Sequence, residues 1–172
     1  MLPDPARLRA IDLLIFDFDG VFTNNQVLVM EDGREGVLCD RSDGLGVGML
    51  RDAGLAMIVV SAETNPVVSR RCDKLRIPCV QGEKDKVAML TRVLAEHKVD
   101  AARAAYVGND VNDIPCMRRV GLAIAVADAW PDVLREAHLV TTRVGGRGAV
   151  REVCDWFREA RETKRRRDEE TK

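Results

Sequence analysis

Short β-prone apolar runs alternate along this chain with segments of helical length, and that alternation constrains its fold more than any other feature. The runs from Asp12 to Phe18, Leu55 to Val60 and Ala104 to Val107 carry almost no polar residues. That pattern marks strands buried on both faces of a parallel sheet. Helices are expected at Leu45–Ala53, Pro66–Leu75, Lys84–His97 and Ile114–Val120. A strand at Leu122–Val126, a helix opening near Pro131, a strand at His138–Val140 and a helix from Ala149 to about Arg161 continue the series. The order predicts an α/β fold, Rossmann-like, with a mainly parallel sheet and helices on both faces.

One segment breaks the pattern. From Gln26 to Leu38, two β-prone runs flank Asp32-Gly33, which predicts a small hairpin flap. No connection is long enough for a cap domain, so a site at the strand ends would have little cover from its own chain. At 172 residues, the chain is read as one domain over 1–163 followed by a charged tail over 164–172.

Composition excludes several classes of function. The net charge is −1 and aromatic residues make up 4%, which gives neither a basic field nor a stacking surface for nucleic acid. No apolar run approaches a membrane span and the first residues lack a signal peptide's apolar core, so a cytoplasmic protein is expected. The five cysteines are scattered without a C-x-x-C pair, and the two histidines, His97 and His138, are far apart. Neither set suggests zinc or a histidine-based triad.

Ligands of open α/β sheets bind outside the carboxyl ends of the strands. Four polar clusters fall there. Asp17 and Asp19 end the first strand, and two carboxylates so close need a compensating cation, for which Mg²⁺ is the economical choice. Ser61 follows the second strand and Lys86 lies near a helix start, a hydroxyl and an ammonium suited to phosphoryl oxygens. The Gly108–Asp113 loop adds Asn109, Asp110, Asn112 and Asp113, oxygen ligands for a hard cation. Singly, each cluster has an ordinary explanation as a cap or turn. Their order and placement make coincidence a poor account of all four.

The ordered set resembles the haloacid dehalogenase superfamily, whose motifs are D-x-D-G-x-x-T, a strand-ending Ser or Thr, a Lys and a final acidic loop. The resemblance covers nearly the whole chain. It implies a phosphoric monoester hydrolase in which Asp17 attacks phosphorus to form an aspartyl phosphate and Asp19 serves as acid and base. Ser61, Ala62 and Lys86 would bind the phosphoryl group. Mg²⁺ would be held by Asp17, Asp19 through its main-chain carbonyl, and the last loop. There this chain departs from the pattern, because Asn109 occupies the position that most often carries the liganding aspartate. Asn109 or Asp110 is expected to complete the site.

A closer likeness is to the small, lidless branch acting on 3-deoxy-D-manno-octulosonate 8-phosphate and on nonulosonate (sialic-acid-type) 9-phosphates. Asp17–Thr23, Arg41–Gly46, Tyr106–Asp110, Val126–Ala129 and Gly145–Glu152 carry it. Members of the branch are typically homotetramers in which a neighbouring subunit caps the active site, which would give the flap a place in assembly. Octulosonate phosphatases usually have Gly-Arg after the second motif's hydroxyl residue, where this chain has Ala62-Glu63. Glu63 with Lys74 looks more like the nonulosonate enzymes. Thr23, Glu63, Lys74, Arg41 and Arg147 are the implied substrate-binding residues, with Arg41 and Asp43 facing the sugar or the flap and Arg147 reaching a substrate carboxylate within its own chain or across a subunit boundary. A non-catalytic oligomerisation domain, like those attached to acylneuraminate cytidylyltransferases, and a broad-specificity sugar phosphatase are the competing readings.

Overall fold

The computed structural model describes residues 3–170. After a short helix α1 (Pro5–Arg9), strand β1 (Leu13–Phe16) leads into a hairpin of β2 (Thr23–Val29) and β3 (Glu35–Cys39). Alternation then follows: α2 (Arg41–Asp52), β4 (Ala56–Ser61), α3 (Val67–Leu75), β5 (Cys79–Gln81), α4 (Lys86–His97), β6 (Ala104–Gly108), α5 (Ile114–Met117) and β7 (Leu122–Ala125). The described chain ends with α6 (Pro131–Glu136), β8 (Leu139–Val140) and α7 (Ala149–Glu170).

Six strands form one parallel sheet in the order β5-β4-β1-β6-β7-β8. The expected fold class is the one observed. The chain steps leftward from β1 to β4 and β5, then returns rightward from β6 to β8. Right-handed crossovers therefore place α2 and α3 on one face and α4, α5 and α6 on the other. The packing agrees, since α2 lies against α7 and α3, α7 against α1, and α5 against both α4 and α6. Strand order reverses between β1 and β6, and a crevice opens there at the carboxyl ends.

The central strands are apolar runs because both their faces are covered. Every residue of β1, β6 and β7 is buried. The hairpin stands outside the sheet. Met30 and Gly33 close its turn, with the Gly33 amide donating to the Met30 carbonyl at 2.9 Å. Its apolar side chains are left in solvent, with Leu28 66% and Leu38 73% exposed. No larger insertion interrupts the described chain, so there is no cap domain.

Several elements differ from the sequence reading, three of them in ways that bear on the fold. Strand β5 was not expected, being a three-residue edge strand without a buried apolar pattern. Helix α2 begins at Arg41 because Asp40 caps it, accepting from the Ser42 amide at 2.7 Å. Helix α7 runs past Arg161 to Glu170, through most of the stretch read as a tail, whose Lys, Arg and Glu residues are good helix formers.

Asp43, in the first turn of α2, is completely buried. Its Oδ1 accepts from the Arg151 amide at 2.9 Å, joining α2 to the start of α7, whereas Oδ2 has no partner. Its one hydrogen bond runs to α7, not to the pocket or the flap. Burial pushes its carboxyl up to about 6, despite the hydrogen bond from the Arg151 amide. A folded-state value above that of an ordinary carboxyl favours the protonated form, so this group's contribution to stability is lost as pH rises from about 4 through about 6. Asp43→Asn is expected to raise unfolding free energy above pH 6 by up to about 3 kcal/mol, with the gain shrinking towards pH 4. Urea unfolding of both proteins across that range checks it; a gain that is independent of pH would refute the titration.

Candidate active site

Asp17 lies one residue beyond β1, in the crevice that the sheet topology creates. Its amide donates to the Val107 carbonyl at 2.9 Å, continuing the β1–β6 ladder and aiming the side chain at the strand ends. The next turn is tight. Gly20 has φ +75°, and a Cβ there would lie 1.9 Å from Asn109 Nδ2, so the position needs both glycine's backbone freedom and its lack of a side chain. Thr23 braces the loop from within, its Oγ1 accepting from the Gly20 amide at 3.1 Å and the Asn25 amide at 3.2 Å. Thr23 is wholly buried and is not among the residues that line the pocket.

Lys86 is the first residue of α4, whose N-cap is Asp85, and is only 4% exposed. Its ammonium lies 2.8 Å from Asp17 Oδ1 and 2.7 Å from Asp113 Oδ1. Burial lowers the ammonium's proton affinity, but Asp17 and Asp113 more than offset that, and the net direction is upward. Asp17 moves the other way from an ordinary carboxylate. Burial and then the Asp113 charge push it up to about 7, against the pull of Lys86. Asp19 is half-buried, and burial followed by the charge of Glu63 raises it too.

Asp113 organises the last loop. Oδ1 accepts from Lys86 Nζ and from the Tyr106 hydroxyl at 2.9 Å, while Oδ2 accepts from the amides of Asn109 at 2.9 Å and Asp110 at 3.2 Å. Asp110 caps the short turn that follows, its Oδ1 accepting from the Val111 amide at 2.6 Å. Asn109 is 6% exposed, and its Oδ1 is buried without a hydrogen-bond partner. A buried oxygen of that kind, beside a buried carboxylate, is what a hard cation would satisfy. Among the described residues, no three His, Cys, Asp or Glu side chains converge as a metal cluster. Any cation here would use the Asn109 amide oxygen and main-chain oxygen as well as Asp17.

Ser61 ends β4 and is buried, its Oγ accepting from the Glu63 amide at 3.2 Å. Glu63 Oε1 accepts from the amides of Thr64 at 2.6 Å and Asn65 at 2.8 Å, stiffening its own turn. Gln81 ties this loop to β5, with Nε2 donating to the carbonyls of Glu63 at 3.3 Å and Asn65 at 3.2 Å. Asp17, Asp19, Ser61, Ala62, Glu63 and Lys86 thus line one pocket of about 370 Å³, together with Thr64, Lys84 and Asn112.

Three expected substrate contacts are elsewhere. Lys74 is exposed near the carboxyl end of α3, roughly 10 Å along the helix from its start beside the site. Arg41 is exposed at the start of α2. Arg147 lines a separate groove with Asp40, Ser42 and Arg151. In its loop the glycines meet the Asp17–Thr23 turn. A Cβ on Gly145 would lie 1.9 Å from the Gly20 carbonyl oxygen, and the Gly146 amide donates to the Val21 carbonyl at 3.0 Å. Asp128 fixes this brace by accepting from the Gly145 amide at 2.8 Å. The sequence reading gave no role to Lys84 or Asp128.

Comparison with known proteins gives the chain its family. A family model for haloacid dehalogenase-like hydrolases matches residues 75–152. The 3-deoxy-D-manno-octulosonate 8-phosphate phosphatase of Yersinia pestis is 37% identical over 150 residues, covering 87% of this chain and 80% of that protein. A crystal structure of the Yersinia pestis phosphatase superposes with a TM-score of 0.89 at 36% identity, over 92% of this chain and 86% of that one. The Moraxella catarrhalis phosphatase, in complex with a magnesium ion, a phosphate ion and the sugar acid, superposes with a TM-score of 0.87 at 29% identity, over 91% of this chain and 90% of that one.

Proposed function

Because this chain belongs to the haloacid dehalogenase-like hydrolases, in the branch of the 3-deoxy-D-manno-octulosonate 8-phosphate phosphatases, we propose that it hydrolyses a sugar-acid phosphate monoester through an aspartyl phosphate on Asp17. It is a Mg²⁺-dependent phosphoric monoester hydrolase. The observation that carries the residue assignment is the buried triad of Asp17, Lys86 and Asp113 at the strand switch point, with Asp19 at its mouth. Octulosonate 8-phosphate is the first candidate substrate, on the names of the relatives. A nonulosonate 9-phosphate is the second, on Glu63 in the pocket.

Asp17 Oδ1 lies within reach of Lys86, which would also neutralise a phosphoryl oxygen while Ser61 and the Ala62 amide hold others. Asp17 then forms a bond to phosphorus as the bond to the leaving alcohol oxygen breaks. Asp19, with its raised proton affinity, donates the proton to that oxygen and afterwards takes one from water, whose oxygen bonds to phosphorus as the Asp17–phosphorus bond breaks and phosphate leaves. Asp17, the Asp19 carbonyl and Asn109 Oδ1 would hold Mg²⁺, which when bound supplies charge neutralisation at the phosphate. Asp110 is the second candidate for the last ligand, although its Oδ1 already caps the following turn.

The test is phosphate release from octulosonate 8-phosphate, a nonulosonate 9-phosphate and a hexose 6-phosphate, with and without Mg²⁺. Release should require the metal and favour a sugar acid; absence of release from every ester would sink the reading. In the same assay Asn109→Ala should raise the Mg²⁺ concentration for half-activation about 10- to 100-fold, and Asp110→Ala less. The reverse ranking would transfer the ligand role to Asp110.

We infer further that the protein works as a homotetramer in the cytoplasm, with a neighbour covering the pocket. Support comes from the hairpin, whose Val27, Leu28, Val29 and Leu38 are each more than half exposed. An apolar surface of this kind marks an interaction site. Lys74, remote from the pocket of its own chain, would then reach substrate only from a neighbour. Light scattering at assay concentration should give four times the chain mass of 19.1 kDa, and Leu28→Glu with Leu38→Glu should lower it. Full activity in a monomer would overturn subunit capping.

A further inference from the structure

One cation in the pocket has no task in phosphoryl transfer. Lys84 lines the same cavity as Asp17 and Ser61, yet makes no ion pair among the described residues. The acids beside it are engaged elsewhere, for Glu83 pairs with Arg92 and Asp85 Oδ1 accepts from the Ala88 amide at 3.0 Å. Lys86 is held between Asp17 and Asp113, so it serves the phosphate end. Lys84 is exposed but its backbone is placed. Its carbonyl accepts from the Lys86 amide at 3.1 Å, and its loop touches the Glu63 turn, where a Cβ on Gly82 would lie 3.8 Å from Thr64.

We propose that Lys84 is a specificity-determining residue that binds a second anionic group of the substrate, the carboxylate of a sugar acid, while the phosphate occupies the Asp17 end of the pocket. This rests on the phosphatase reading above and adds a reason for a sugar acid to be preferred. The cavity of about 370 Å³ has room for a ligand with two separated anions. Its other ionisable groups are Asp17, Asp19 and Glu63, all acidic, and Lys86. A free carboxylate entering such a site would be repelled without a cation of its own. Lys84 supplies that cation within the chain, in the part that the distant Lys74 cannot play from the same chain.

The experiment compares kcat/KM for 3-deoxy-D-manno-octulosonate 8-phosphate with that for a hexose 6-phosphate, which lacks the carboxylate, in wild type, Lys84→Met and Lys84→Arg. The ratio of acid to neutral ester should fall about tenfold in Lys84→Met, chiefly through KM, and be largely kept in Lys84→Arg. An unchanged ratio in Lys84→Met, or a wild type without preference for the acid, overturns the proposal. Calorimetric binding of octulosonate 8-phosphate to the Mg²⁺-loaded protein separates this from failure of the phosphatase reading. If no ester is hydrolysed, a roughly tenfold weaker affinity in Lys84→Met still supports Lys84, whereas equal affinity or no binding refutes it.

Discussion

Asp17→Asn is expected to lower kcat for phosphate release by on the order of 10³-fold or more, with melting close to that of the wild type. The amide has nearly the shape of the carboxylate but cannot act as the oxygen nucleophile that displaces the alcohol. Its effect on the fold should be small for a reason visible in the site. Asp17 is buried beside Asp113, and both burial and that charge oppose its ionisation. Lys86 keeps Asp113 at 2.7 Å in the variant, so no buried ammonium is left alone. Single-turnover phosphate release and thermal melting should therefore separate. Undiminished release would exclude Asp17 as nucleophile, and a parallel collapse of melting and activity would assign it to structure.

The placement of Asp17 at the strand switch point was legible in the sequence because topology does most of the work. A parallel sheet brings all its strand carboxyl ends to one edge, so Asp17, Ser61 and Asn109, each just past an apolar run, had to meet there. Lys86 joined them as a helix-start residue after the loop from β5. The same rule would have found Lys84, but β5 itself was invisible, a three-residue edge strand with a polar end at Gln81. Lys74, Arg41 and Arg147 lie outside the pocket of their own chain. Each was placed by family likeness alone, and where a side chain on a helix or a long loop ends up depends on packing that spacing does not reveal. Thr23 is intermediate. Its motif position was right, but its hydroxyl serves the Gly20 turn.

Asp113 shows how far the Gly108–Asp113 loop depends on a residue that the pocket does not display. Its side chain is fully buried and accepts four hydrogen bonds, from Lys86, Tyr106 and the amides of Asn109 and Asp110. Asp113→Ala would leave Lys86 with Asp17 as its only carboxylate and strand a buried hydroxyl and two amides. Breaking a buried charged network by removing one partner costs about 3–5 kcal/mol, which for a chain of this length corresponds to a melting point lower by roughly 10 °C. Asp113→Asn should cost less, since its carbonyl can still accept from the two loop amides, although its amino group cannot accept from Lys86. The Ala variant should also need more Mg²⁺ for half-activation, because the Asn109 amide then loses its acceptor and only the Trp130 amide, donating to the Asn109 carbonyl at 2.9 Å, still holds that backbone. Urea unfolding with a Mg²⁺ titration distinguishes the two effects. A loss below about 1 kcal/mol in Asp113→Ala, within the range of an ordinary surface substitution, would show that the loop is held by its backbone and that Asp113 does not organise the site.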